Sequence, residues 1–304
     1  MSSKKMFLVV NPYSGTAKAK TELLKIVSTF SDDGYDVTVY PTKARKDATE
    51  KVATLKKGEY DIITVCGGDG TLNEVISGYM EAKIDCPIGY IPLGTLNEWS
   101  SSIGIAKNAT RAAKDILTGR QAIIDIGKFD DKYFTYTASF GAFTQASYSA
   151  PQEVKNVLGQ VAYLFEGIKG LSAIKPIYMK ITCDDRVIEG DFLFGAISNS
   201  MSVGGIVKFA ENDVQLDDGE FEVLLIRNFD SILKLQNVLD GIVKRELDRE
   251  GLEFFRTTKL VVETKSPLSW TLDGEYAESK DEIVIENLKQ AIPLIIPKNS
   301  KAKI

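Results

Sequence analysis

Three short apolar runs constrain this chain more than any other feature. Residues 6–10, 62–65 and 88–91 are almost continuously hydrophobic, and each ends in a loop built from Asn, Gly or Pro. A strand that is apolar at successive positions must be covered on both faces, as in a parallel sheet flanked by helices. The intervening segments supply the helices. Residues 16–30 carry Leu23, Leu24, Ile26, Val27 and Phe30 at helical spacing, and Ser31-Asp32-Asp33-Gly34 ends the pattern. Residues 35–40 alternate as a strand, Asp47 is placed to cap a helix reaching about residue 57, and residues 71–80 and 110–118 read as helices, the last stopping at Gly119. Repeated strand–helix units of this kind predict an α/β, Rossmann-like parallel-sheet domain over residues 1–127.

Beyond Asp125 the texture changes. Residues 133–140, 177–183, 186–198, 220–226, 260–264 and 282–285 read as strands, separated by turn signals such as Asp184-Asp185, Asp218-Gly219 and Asp273-Gly274. The expectation is a mainly antiparallel β-sandwich domain over residues 128–304, with the extreme C-terminus free to pack back on the first domain. Two helices interrupt it. One covers residues 151–171 and opens at Pro151; the other covers residues 230–250, with Asp230 or Ser231 as its N-cap and Ile232, Leu235, Val238, Leu239, Ile242 and Leu247 inward. Their apolar stripes either face the core or line a cleft for a greasy substrate.

Composition excludes several function classes. With 44% apolar and 26% charged residues the chain is an ordinary globular one, not a disordered one. A net charge of −5 argues against a nucleic-acid partner, because non-specific binding comes from an excess of Lys and Arg. There is no histidine, so Ser–His, Cys–His and His-ligated zinc mechanisms are excluded and a general base is expected to be Asp or Glu, with Lys, Tyr or Cys as the lesser alternatives. Cys66, Cys86 and Cys183 are far apart and form no CxxC, which fits a reducing, cytoplasmic setting; Cys66 reads as a small buried apolar residue. No apolar run approaches the ~18 residues of a spanning helix, so any membrane contact is expected to be peripheral.

The strongest chemical signal is Gly67-Gly68-Asp69-Gly70-Thr71-Leu72-Asn73-Glu74, where a buried strand runs into three glycines and then a helix. Glycine permits positive φ and close approach to a ligand, and the helix N-terminus attracts phosphate. Asp69 would repel phosphate by itself, so its presence suits a role through Mg²⁺ or as a proton acceptor. Neither a dinucleotide fingerprint nor a P-loop is matched, and a plain glycine-rich turn is the alternative. Pro92-Leu93-Gly94-Thr95-Leu96-Asn97-Glu98-Trp99 repeats the strand-to-turn pattern, with Thr95 either capping the next helix or bonding a phosphate. Asn11-Pro12-Tyr13-Ser14-Gly15 forms a third such loop. Asp218-Gly219 and Asp273-Gly274-Glu275, taken alone, read as hairpin turns.

Together, GGDGTxNE at 67–74, PxGTxN at 92–97, NPxSG at 11–15, LDDG at 216–219 and DGE at 273–275 resemble the catalytic region of the diacylglycerol kinase and sphingosine kinase superfamily, in particular its small bacterial lipid kinases. The resemblance spans residues 6–290. GGDGT also occurs in NAD kinases and 6-phosphofructokinases, but its combination with PxGTxN and a late DGE is more specific. The resemblance implies ATP- and Mg²⁺-dependent phosphorylation of a lipid hydroxyl at a membrane surface, with ATP between the two domains. It implies nucleotide contacts at Asn11, Pro12, Ser14, Gly15, Thr42, Gly67, Gly68, Asp69, Gly70, Thr71, Leu72, Asn73, Glu74, Gly94, Thr95 and Asn97. It makes Glu275 the general base, has Asp69 organise the catalytic Mg²⁺ through water, and places a structural Mg²⁺ on Asp218 and the carbonyls of Gln215 and Glu220. One departure stands out: the family carries Asp where this chain has Glu98, one methylene longer, which opens an altered substrate or weakened catalysis. Three readings follow: a lipid kinase, a silent nucleotide- or lipid-binding homologue, and an NAD kinase-like enzyme. A homodimer is left open.

Overall fold

The computed structural model describes residues 3–95, 97–141, 175–184, 186–200, 202–203, 207–208, 215–229 and 231–304. The first elements in chain order are β1 (Lys4–Val10), α1 (Ser14–Asp32), β2 (Tyr35–Pro41), α2 (Asp47–Ala53), β3 (Ile62–Gly67), α3 (Asp69–Ala82) and β4 (Ile88–Pro92). Next come α4 (Glu98–Ser102), α5 (Ala109–Thr118), β5 (Arg120–Phe129), β6 (Lys132–Phe134), β7 (Thr137–Gly141), β8 (Ile177–Cys183) and β9 (Arg186–Ser198). Then follow β10 (Ser202–Val203), β11 (Val207–Lys208), β12 (Phe221–Arg227), α6 (Ile232–Lys244), β13 (Leu252–Thr257), β14 (Lys259–Thr264), β15 (Ser269–Leu272), β16 (Glu275–Glu278) and β17 (Glu282–Ile296). These elements form two compact units, Met1–Ile126 with Lys289–Ile304, and Gly127–Leu288.

The first unit holds a parallel sheet in the order β2-β1-β3-β4-β17. The apolar runs fill its centre: Met6–Val10 and Ile62–Cys66 are at most 4% exposed, and β4 is buried along its length. The chain leaves β1 for β2 on one side and returns to β3 on the other. With right-handed crossovers this reversal puts α1 on one face and α2 and α3 on the other, which agrees with α1 packing beside α5 and α2 beside α3. A reversal of strand order sends the crossovers that follow β1 and β3 to opposite faces and sets a switch point at the carboxyl ends of these strands, where open α/β sheets bind ligands.

Helix ends follow local chemistry. Gly34, at φ 86°, donates its N–H to Ser31 O and closes α1, and Asn108 Oδ1 accepts the Arg111 N–H at the start of α5. Asp47 does not cap α2. The capping position is Lys46, at φ 68°, and Asp47 is the first helical residue, its carboxylate taken by the Tyr40 hydroxyl (2.7 Å) and the Lys43 N–H (2.7 Å). The helix ends at Ala53, short of residue 57.

The second unit is an antiparallel β-sandwich. Strand β9 is shared by its layers: the first half pairs with β8, and the second lies between β7 and β12. Trp270 is central to the core, edge-on to Phe140 at 4.9 Å and to Phe129 at 5.2 Å between ring centroids. The strand expected at 133–140 is divided into β6 and β7, because the N–H groups at 135–137 turn onto a buried carboxylate described below. Ser231 caps α6 by accepting the Lys234 N–H, and the helix ends at Lys244, leaving Leu247 outside it. The helix expected at 151–171, and Asp230, lie outside the described residues.

Candidate active site

The three glycine-bearing loops of the first unit pack directly on one another. Asn11 N–H donates to Cys66 O (2.9 Å), Leu93 N–H to Gly67 O (2.7 Å) and Thr42 N–H to Val10 O (2.8 Å), so the loops after β1, β2, β3 and β4 form one rim. Asn11 Nδ2 donates to Thr71 Oγ1 (3.1 Å), tying the first loop to the first turn of α3. The glycines are there for this contact. A Cβ on Gly94 would come within 2.7 Å of Gly68 Cα, and one on Gly67 within 2.6 Å of Thr71 Cβ. Positive φ, one of the two expected reasons, applies to none of Gly67, Gly68, Gly70 or Gly94; it applies to Gly15, at φ 52°, whose added Cβ would run into the Leu93 carbonyl oxygen.

Two long helices start at this rim. The 19-residue α1 opens at Tyr13 and the 14-residue α3 at Gly68, and neither has a side-chain cap. Their first-turn N–H groups and dipoles suit a polyphosphate. Several predicted residues serve the loops themselves. Asn97, 6% exposed and at φ 49°, locks its own turn: Oδ1 accepts Gly94 N–H (3.0 Å) and Nδ2 donates to Gly94 O (2.8 Å). Asn97 also occupies the N-cap of α4, so Thr95, which is exposed, is not the cap. Glu74 accepts the N–H groups of Lys46 (2.8 Å) and Ala48 (3.3 Å), so it caps α2 and holds the segment after Thr42. Leu72 is a core side chain with no exposure, and its N–H is bonded to Gly68 O. Pro12 is half-buried beside the buried Ser14, and Gly70 and Asn73 lie on the partly open side of α3.

Asp69 is the acidic centre of the rim. Oδ1 accepts the Tyr90 hydroxyl (3.3 Å) and Oδ2 accepts the Glu98 N–H (3.0 Å). Burial, then the Asp69 charge, pushes the Tyr90 phenol far above its ordinary range, so it serves as a fixed donor. The Glu98 contact is made by the backbone, so the change from Asp to Glu leaves it intact. Asp69 and the backbone of Glu98 thus meet at one end of the rim. No cluster of three or more His, Cys, Asp or Glu arranged for a metal occurs among the described residues. A carboxylate so placed suits Mg²⁺ that shares nucleotide phosphates and keeps its waters.

In the second unit, Asp273 and Gly274, at φ 51° and 83°, make the two-residue hairpin between β15 and β16, and Glu275 is the first residue after it, exposed. Asp273 is the residue that sequence reasoning missed. It is 6% exposed and accepts four hydrogen bonds: Thr135 N–H (2.6 Å), Thr135 hydroxyl (2.7 Å), Tyr136 N–H (2.9 Å) and Thr137 N–H (3.0 Å). Burial raises its carboxyl above the ordinary value, and the four donors pull it back. The clamp fixes the hairpin and therefore the origin of Glu275. At the 216–219 turn, the Asp218 carboxylate accepts Glu220 N–H (2.9 Å) and pairs with Arg256, Gln215 turns its amide to Asp217, and Glu220 O accepts from Asn287 Nδ2 (3.1 Å).

Residues 5–129 match the family described as diacylglycerol kinase catalytic domain, and residues 138–295, over half of the chain, match that described as YegS C-terminal NAD kinase beta sandwich-like domain. The chain belongs to the family of this second domain, and it carries the diacylglycerol kinase catalytic domain ahead of it. It is 27% identical over 302 residues to the diacylglycerol kinase of Bacillus subtilis, covering 99% of each chain. It is 29% identical to that of Staphylococcus saprophyticus, covering 98% of this chain and 97% of the relative. A crystal structure of a candidate diacylglycerol kinase from Bacillus anthracis superposes with a TM-score of 0.78 at 26% identity, covering 97% of this chain and 96% of that one. By family membership this is a diacylglycerol kinase-like lipid kinase.

Proposed function

We propose that the chain transfers the γ-phosphoryl group of ATP, with Mg²⁺, to the hydroxyl of a lipid such as diacylglycerol. The single observation that carries the reading is the rim: four strand-end loops at a topological switch point, with two helix N-termini and the Asp69 carboxylate held by Tyr90 and the Glu98 backbone. Phosphoryl transfer asks for positioning and charge neutralisation more than covalent help, and such a rim supplies both. Mg²⁺ would be held by Asp69, supported by Glu98, and would neutralise charge on the transferred group. The N-termini of α1 and α3 bind the polyphosphate, Asn11 and Thr71 set the distance between them, and Thr42 and Thr95 offer hydroxyls to the nucleotide. Glu275 accepts the proton of the acceptor hydroxyl, a role that suits a carboxylate in a chain without histidine. The acceptor is met at a membrane surface; no helix among the described residues is long and apolar enough to cross one.

The test is a lipid-acceptor screen with radiolabelled ATP. Asp69→Asn and Glu275→Gln are each expected to lower transfer ~100-fold or more while circular dichroism stays unchanged. Near-normal turnover of Glu275→Gln overturns the base assignment. Stabilisation by Mg-ATP without any phosphorylated lipid would mark a binding protein, and phosphorylation of NAD in detergent-free buffer would mark a soluble-acceptor kinase.

A further inference from the structure

Arg256, in β13, lies directly across from Glu222 in β12, and its guanidinium gathers three carboxylates. It pairs with Asp218 Oδ2 through Nη2, with Glu220 Oε2 through Nη1 at 3.0 Å, and with Glu222 Oε1 through Nε at 3.4 Å. Asp218 is aimed by its own turn, since its second oxygen takes the Glu220 N–H. Glu222 has no solvent exposure, and the edge of the guanidinium is its polar neighbour across the ladder. Asn287 closes the far side through Glu220 O.

The Asp218 and Glu220 carboxylates, side by side next to a third, buried acid, call for a cation, and the family resemblance supplies one as Mg²⁺. The residues present do not fit that ion. Mg²⁺ demands a near-octahedral oxygen shell at close range. Of the oxygens the resemblance assigns to it, the Asp218 carboxylate is already bound by a guanidinium, whose charge would repel a dication, and the Glu220 carbonyl already accepts Asn287 Nδ2 at 3.1 Å. A guanidinium fork matches carboxylates on several sides at once, which an ammonium does not. The structure assigns to Arg256 the part of a resident cation: it clamps the 215–220 turn to the β12–β13 ladder, and the turn needs no metal ion.

The experiment reads thermal unfolding of the full chain without nucleotide, in EDTA and in millimolar MgCl₂, so it is independent of the kinase reading. The wild-type midpoint is expected to be the same in both buffers. Arg256→Ala is expected to lower the midpoint in EDTA by about 5 °C or more, because a partly buried charge cluster loses its counter-charge. Should that variant fail to fold, Arg256→Lys keeps the charge without the fork; a lower midpoint, equal in both buffers, supports the assignment. A wild-type midpoint raised by magnesium and no longer raised in Asp218→Asn overturns it, as does an Arg256→Ala or Arg256→Lys midpoint equal to wild type. A rise that persists in Asp218→Asn comes from elsewhere in the chain and leaves the assignment standing.

Discussion

Two buried carboxylates in the second unit show how far environment, more than residue type, sets the role. Asp273 is met by four donors from residues 135–137, whereas Glu222 meets a single guanidinium edge at 3.4 Å. Burial therefore pushes the Glu222 carboxyl from 4.5 up to about 8, with the Arg256 charge opposing the shift. A carboxyl raised on folding contributes stability that is fully present below its unfolded value and lost as pH rises through the folded one. The expected outcome is that the stability of the wild type falls between pH ~4.5 and ~8 by up to ~1.4 kcal/mol per pH unit from this group, and that Glu222→Gln flattens the fall. Urea unfolding across that range checks it, and parallel pH profiles for the two proteins would contradict it. None of this was legible in sequence. Asp273-Gly274 announces a hairpin, but the donors that bury Asp273 lie 136 to 138 positions away, beyond any local pattern.

At the scale of elements, the alternation of strand and helix was readable because strands covered on both faces carry continuous apolar runs, and the loops were readable because their glycines are dense. The reason for those glycines was not, since it lies in contacts between loops distant in sequence: Gly15 against Leu93, and Gly68 against Gly94. The far end of β17 was missed for a related reason. Its burial alternates on both sides of Lys289-Gln290 but changes phase there, where Gln290 adopts φ 51° and gives its N–H to Asp125 Oδ1 (2.6 Å). A period-two reading stops at such a slip. Gly15 and Gly34 separate backbone strain from loop contact. Both have positive φ, but a Cβ on Gly34 meets nothing within 4 Å. Gly34→Ala is expected to lose ~1–2 kcal/mol for the left-handed backbone alone. Gly15→Ala is expected to lose more than that and also to weaken stabilisation by Mg-ATP, because the loop after β1 must move off the loop after β4. Equal losses in both variants would show that the loops do not depend on this contact.

At the scale of the whole molecule, the chain passes between its two compact units inside β5 and β17 and has no linker at those points. The texture change near residue 127 thus falls within a strand, and residues 289–304 belong to the unit that carries the glycine loops although they follow it by some 160 positions. They complete it physically. Ile292, Leu294 and Ile296 have no exposure, Leu294 pairs with Ile88 of β4, and Ser300 Oγ donates to Ile103 O (2.7 Å). Burying three aliphatic side chains is worth about 5–9 kcal/mol, on the scale of the whole stability of a domain. Their removal would also leave β4 as an open edge of a hydrophobic sheet, a template for aggregation. A chain ending at Leu288 keeps every predicted nucleotide-contacting residue, yet it is expected to lose both the cooperative unfolding of the first unit and its stabilisation by Mg-ATP. Leu294→Asp in the full-length chain should weaken both in the same direction by placing a charge in that core. If the shortened protein melted at the wild-type midpoint and still gained stability from Mg-ATP, the C-terminal strand would be an ornament on a self-sufficient nucleotide domain, and the packing of β17 against β4 would have to be credited with none of its cohesion.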